Sequence, residues 1–146
     1  MCERSNGMNL SVGPQGDAVF EGCKAYKEGM AGKAPGVLVV PDWMRLGDHY
    51  KKIAEKLADL GCIVFAADIY GKGVRPKDSQ QVAAEAGKYK SDPVLMRQRV
   101  LAALEELKKN RSVDPSRIAA IGYCFGGTVV LELARSGAAL GPLRSA

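Results

Sequence analysis

Short apolar runs alternate along the chain with stretches in which apolar residues recur every three or four positions. Val37–Val40 is a continuous apolar run suited to a strand buried on both faces of a parallel sheet. It ends at Pro41, which forbids further ladder pairing on that side. After a loop at 42–47, Asp48 can cap a helix whose apolar positions Tyr50, Ile53, Ala54, Leu57 and Leu60 lie at helical spacing, with Gly61 as its stop. Cys62–Ala67 reads as the next buried strand, 71–78 as loop, and Ser79–Lys90 as a weak helix rich in Ala and Gln. Ser91 or Asp92 with Pro93 opens a stronger helix, in which Met96, Val100, Leu101, Leu104 and Leu107 form the buried stripe and Glu105 and Lys109 can pair outside. Val113-Asp114-Pro115 reads as a turn, Ile118–Tyr123 as a strand, and Gly126–Arg135 as a helix closed by Gly137.

Residues 1–17 hold three glycines, a proline and little apolar periodicity, so they are expected to form a flexible leader before the first strand-like stretch, Ala18–Lys27. Strands alternating with helices argue for an α/β fold, a mostly parallel sheet with flanking helices, occupying 18–137. The tail 138–146 has no strand-like apolar run.

With 146 residues, 47% hydrophobic and 25% charged, one globular domain is expected. The net charge of +5 comes from basic residues interleaved with acidic ones, a solvated surface rather than a basic stripe. Nucleic acid is therefore not an expected partner, and the positive excess suits a small anionic substrate. Cys2, Cys23, Cys62 and Cys124 form no C-x-x-C pair, so neither a zinc site nor a disulfide framework is indicated and reduced thiols in the cytoplasm are expected. No apolar signal segment opens the chain and its apolar runs are of strand length, so the sequence reads as soluble, with no membrane partner.

The most informative segment is Ile118–Gly127, IAAIGYCFGG, where a strand runs into a tight turn and then a helix. Gly122, Gly126 and Gly127 flank Cys124 at the spacing that lets the backbone turn sharply and lift one side chain off the sheet. A thiol at the first turn of a helix sits in the positive end of the helix dipole, which favours the thiolate that attacks carbonyl carbon. Two plainer readings stand beside this one: a buried cysteine in a Gly-rich turn, and a phosphate cradle. The spacing fits neither G-x-G-x-x-G nor a Walker loop, and no Lys-Ser/Thr pair follows Gly127.

On these residues, together with Pro35–Tyr50 (PGVLVVPDWMRLGDHY), Gly61–Gly71 (GCIVFAADIYG) and Val113–Ala134, the chain resembles the dienelactone hydrolase family from about Phe20 to Gly137. These are α/β-hydrolases whose elbow carries Cys where esterases carry Ser. The resemblance implies an ester or lactone hydrolase with Cys124 as nucleophile, the amides of Phe125 and Trp43 as oxyanion donors, Asp42 as a carboxylate that modulates the thiol, and no metal or organic cofactor. As bare sequence Trp43 also reads as an aromatic lid, and Asp42 as a helix or turn cap. Asp68 ends a strand as a turn former and receives no catalytic role. His49, the only histidine, reads as an exposed first-turn residue. Arg75 and Arg135 could bind a substrate carboxylate, without assignment to either.

In that family the acid and histidine of the triad follow the nucleophile, whereas Ala138–Ala146 holds no Asp, Glu or His. The expectation is a truncated chain with an incomplete triad and slow or absent turnover. The strand Ile118–Tyr123 would then be an open edge, and Val130, Leu133 and Ala134 would lack neighbours, favouring self-association. The alternative is a non-catalytic interaction or thiol-sensing module built on a hydrolase fold.

Overall fold

Leu38 and Val40 point to one side of their strand and Val37 and Val39 to the other, and both pairs are buried, as a central parallel strand requires. The computed structural model in which this is seen describes residues 3–11, 17–44, 46–70, 74, 76–138, 140 and 143–145. Its strands are β1 (Glu3–Ser11), β2 (Asp17–Ala25), β3 (Ala34–Val40), β4 (Ile63–Ala67), β5 (Val113–Gly122) and β6 (Leu143–Ser145). Its helices are α1 (Asp48–Asp59), α2 (Ser79–Ser91), α3 (Pro93–Lys108) and α4 (Phe125–Arg135). The strands form one sheet in the order β1-β2-β4-β3-β5-β6. β1 and β2 run antiparallel, and β4, β3, β5 and β6 run parallel, so the expected mostly parallel α/β architecture is present.

The two faces of the sheet carry separate cores. On one, Tyr50, Ala54 and Ala58 of α1 cover Val37, Val39, Val64 and Ala66. On the other, α3 and α4 pack on Leu38, Phe65 and Ile118 through Val100, Leu104, Leu107, Val129 and Leu133. Each such fully buried aliphatic side chain contributes about 1.5–3 kcal/mol, enough to hold helices whose own propensity is modest.

Several expectations need correction. The stretch expected to be a flexible leader before the first strand contains β1, whose backbone pairs with β2 over most of its length. The tail contains β6, too short to show as an apolar run, and β6 pairs with Ala120–Gly122. The edge of β5 is therefore covered at its C-terminal end, and Val130 and Leu133 are buried in the core rather than left without neighbours. Val113–Pro115 lies inside β5: the register against β3 jumps between Pro35 and Gly36, so the turn is a bulge. Gly47, not Asp48, caps α1, and Asp48 stands in its first turn. Lys108 takes Glu105 as partner while Lys109, itself exposed, pairs with the buried carboxylate of Glu106. Cys23 is disulfide-bonded, against the expectation of four reduced thiols on which a cytoplasmic setting rested; Cys62 and Cys124 are free. Among the described residues no helix is long and apolar enough to cross a membrane.

Candidate active site

β5 ends at Gly122 and α4 begins at Phe125, so the chain reverses within Tyr123 and Cys124. Such a turn is possible only if one residue leaves the ordinary backbone regions. Cys124 does so, with φ 53° and ψ −111°, and among the described residues it is the only non-glycine at positive φ. A conformation of this kind costs about 1–3 kcal/mol and persists because its surroundings impose it. Here Tyr123 donates its N–H to Val40 O (3.1 Å), Gly126 to Tyr123 O (2.9 Å) and Gly127 to Cys124 O (2.9 Å). A Cβ on Gly122 would strike the Gly126 carbonyl, and one on Gly126 would strike the Val40 carbonyl, so both positions demand glycine for close backbone approach. The thiol that results is exposed at the N-terminus of α4.

Phe125, first in that helix, has an amide with no intrahelical acceptor, as every first-turn N–H lacks one. The Trp43 amide, in the loop after β3, has no acceptor either among the described residues. The loop itself is heavily tied. Asp42 donates its N–H to Tyr50 Oη (3.3 Å), Asp42 Oδ1 accepts from Met44 N (2.8 Å), and Tyr70 Oη donates to Trp43 O (2.7 Å). Asp42 thus forms the turn that one sequence reading anticipated. Trp43 and Met44 remain exposed, an apolar lip on this loop.

Beneath the turn Tyr70, Tyr89 and Phe125 pack as an aromatic trio, with ring centroids 5.7, 5.9 and 6.4 Å apart. A cavity of about 10 Å³, room for one water, opens between Asp42, Asp68, Tyr70 and Phe125. Asp68 is buried there and accepts from Tyr70 N (3.1 Å). Burial, followed by the charge of Asp68, pushes the Tyr70 phenol well above its ordinary value; burial and then Asp42 push Tyr50 up to about 12. Both hydroxyls therefore stay protonated across the physiological range.

His49 is exposed on α1, and a chain of ring contacts, His49–Tyr50 at 5.2 Å and Tyr50–Tyr123 at 5.4 Å, links it to the turn. Arg135 sits at the far end of α4 from Cys124, paired with Glu132. Arg75 lies outside the described residues. Among the described residues no three His, Cys, Asp or Glu side chains come together as metal ligands. By spacing Tyr50 reads only as an apolar helix position, and Tyr70 is not singled out at all. The available signal was position alone: Tyr70 stands just past the C-terminal end of a parallel strand, where sites of such sheets form.

The profile of the Dienelactone hydrolase family matches residues 20–142. A protein of Aquifex aeolicus (strain VF5) bearing the name "Putative carboxymethylenebutenolidase" is 34% identical over 107 residues, 68% of this chain and 45% of the relative. The solved structure m3DLH is 42% identical with a TM-score of 0.83, covering 86% of this chain and 52% of its own. A crystal structure of a dienelactone hydrolase-like promiscuous phosphotriesterase from metagenomic libraries is 35% identical with a TM-score of 0.88, covering 100% of this chain and 58% of its own. The chain thus spans about half the length of the relatives it matches.

Proposed function

Because the chain belongs to the dienelactone hydrolase family, we propose that it acts on small esters or lactones with Cys124 as nucleophile and the amides of Trp43 and Phe125 as the oxyanion hole. The observation that carries this reading is the left-handed backbone of Cys124 at the head of α4, a strained turn that a packing cysteine does not need. Lactones enter as substrates through the likeness to a protein named for carboxymethylenebutenolide.

In this reading the Cys124 thiolate adds to the carbonyl carbon. The S–C bond forms as the π pair moves to oxygen, where the two amides receive the charge. Collapse of the tetrahedral adduct expels the alkoxide, or opens the lactone ring, and the leaving oxygen takes a proton from solvent. Water then splits the thioester into carboxylic acid and thiol. Asp42, at the end of β3 against which Gly126 packs, is the carboxylate assigned to modulate the thiol. Gly122, Gly126 and Gly127 shape the elbow. The only imidazole in the sequence is His49, and among the described residues no hydrogen bond joins it to Cys124, so acylation is expected to outrun thioester hydrolysis.

Mixing the 146-residue chain with p-nitrophenyl acetate tests this. The expected result is a burst of one p-nitrophenolate per chain followed by slow release, with the burst lost in Cys124→Ala. A burst that survives Cys124→Ala, or no burst from the parent chain, refutes the assignment. Phosphotriester cleavage is a second reading, favoured by the whole-chain likeness to a promiscuous phosphotriesterase. In it the thiolate attacks phosphorus and displaces the aryloxide while the same two amides hold the phosphoryl oxygen; diethyl p-nitrophenyl phosphate is the probe.

A further inference from the structure

We propose that Tyr70, seconded by Tyr50, is a positioning residue that sets the geometry of the oxyanion hole, because it holds both segments from which the two amides project. Its hydroxyl donates to Trp43 O at 2.7 Å, and its ring lies against the Phe125 ring at 5.9 Å. The inference rests on the assignment of those amides as oxyanion donors.

The backbone makes the argument specific. The Trp43 N–H belongs to the peptide between Asp42 and Trp43. The peptide before it is held at its N–H by Tyr50 Oη. The peptide after it is held twice: at its carbonyl by Tyr70 Oη, and at its N–H, that of Met44, by Asp42 Oδ1. With both flanking peptides fixed, the central one has little freedom to rotate, and its N–H keeps one direction. On the other wall, Phe125 opens α4 and its buried side chain rests on Tyr70 and Tyr89. Tyr70 is itself fixed: its N–H goes to Asp68 Oδ1 at 3.1 Å, its carbonyl accepts from Tyr89 Oη at 3.3 Å, and its ring stacks on Tyr89. A donor that is already aimed adds no reorganisation at the moment charge develops, and this is why a hydroxyl touching no substrate can change the rate of acyl transfer.

The test separates chemistry that needs the hole from chemistry that does not. Acylation of Cys124 by p-nitrophenyl acetate develops an oxyanion; alkylation by iodoacetamide is a direct displacement and develops none. Tyr70→Phe keeps the ring and removes the hydroxyl. It is expected to slow the acylation burst about tenfold while alkylation of Cys124 proceeds at the parent rate. Tyr50→Phe is expected to show the same selectivity to a smaller degree, and serves if Tyr70→Phe fails to fold. Tyr26→Phe removes a tyrosine hydroxyl just past the end of β2, outside the contacts that hold Trp43, Tyr70 and Phe125, and is expected to keep the parent ratio of the two rates. Unchanged acylation in folded Tyr70→Phe and Tyr50→Phe overturns the proposal while leaving the site assignment standing. An equal fall in both reactions also overturns it, since Tyr70 would then act on the thiol or the fold. A parent chain that is alkylated at Cys124 and never acylated overturns the site assignment, and the proposal with it.

Discussion

Cys124 and Cys62 are both free thiols, and their surroundings oppose one another. Cys62 is partly covered, and burial pushes its thiol above the ordinary value, which withdraws thiolate at neutral pH. Cys124 is exposed at the positive end of an eleven-residue helix. With limiting iodoacetamide at neutral pH and no reductant, Cys124 is expected to be labelled roughly tenfold faster than Cys62. Peptide mapping by mass spectrometry reads the ratio, and equal labelling would remove the physical basis for a nucleophile at this turn. The elbow motif was legible in the sequence as three glycines around a cysteine. The ties on the Trp43 loop were not, because Tyr50 and Tyr70 stand far apart from one another in sequence and meet that loop only through the fold.

Helices α3 and α4 owe their placement to two buried carboxylates as well as to their apolar stripes. Glu106 of α3 accepts from Lys24 of β2 (2.8 Å) and from Lys109 (2.9 Å), tying the helix to an antiparallel strand on the far side of the sheet centre. Glu132 of α4 accepts from Arg97 of α3 (3.0 Å) and from Arg135. Burial alone would raise the Glu106 carboxyl, and the two lysines outweigh it, leaving it below its ordinary 4.5. Hydrogen bonds from Arg97 and then Arg135 lower Glu132 likewise. For carboxylates depressed on folding, the stabilisation is complete above pH 4.5 and disappears as pH falls through the lower folded values. Glu106→Gln is expected to cost about 1–3 kcal/mol at pH 7 and to reduce the loss of stability on acidification below pH 4.5. Urea denaturation at a series of pH values checks both; an unchanged acid limb would show that Glu106 does not contribute to it. The helical stripe of α3 was readable from spacing. The pairing of Lys109 with Glu106 was not, since helical spacing allows Glu105 and Glu106 equally.

Across the whole molecule the sheet closes unevenly. β6 covers Ala120–Gly122, while among the described residues no strand pairs with the earlier part of β5 on that side. An apolar strand with free N–H and C=O groups templates pairing with another chain, and a three-residue strand shields only part of it. Deleting residues 143–146 is expected to bare Ala120–Gly122 and raise the apparent mass in a concentration-dependent way, read by size-exclusion chromatography with light scattering. A deleted chain that behaves like its parent at all concentrations would show that β6 does not protect this edge.

Periodicity and punctuation in the sequence determined what depends on neighbours a few residues apart: four helices, the glycine stops after α1 and α4, the central strands, and the Gly-rich turn at Cys124. These are settled by backbone sterics and by which face of an element is apolar, and both leave a local trace. Tertiary structure decided what depends on distant partners. A β1 of mixed polarity and a three-residue β6 are strands only because a ready sheet accepts their hydrogen bonds. Asp42 is tied at its N–H, and Trp43 at its carbonyl, only because Tyr50 and Tyr70 arrive from other elements. Hydrogen bonds and close contacts across the sheet depend on position to within an ångström, a distance that no one-dimensional pattern records.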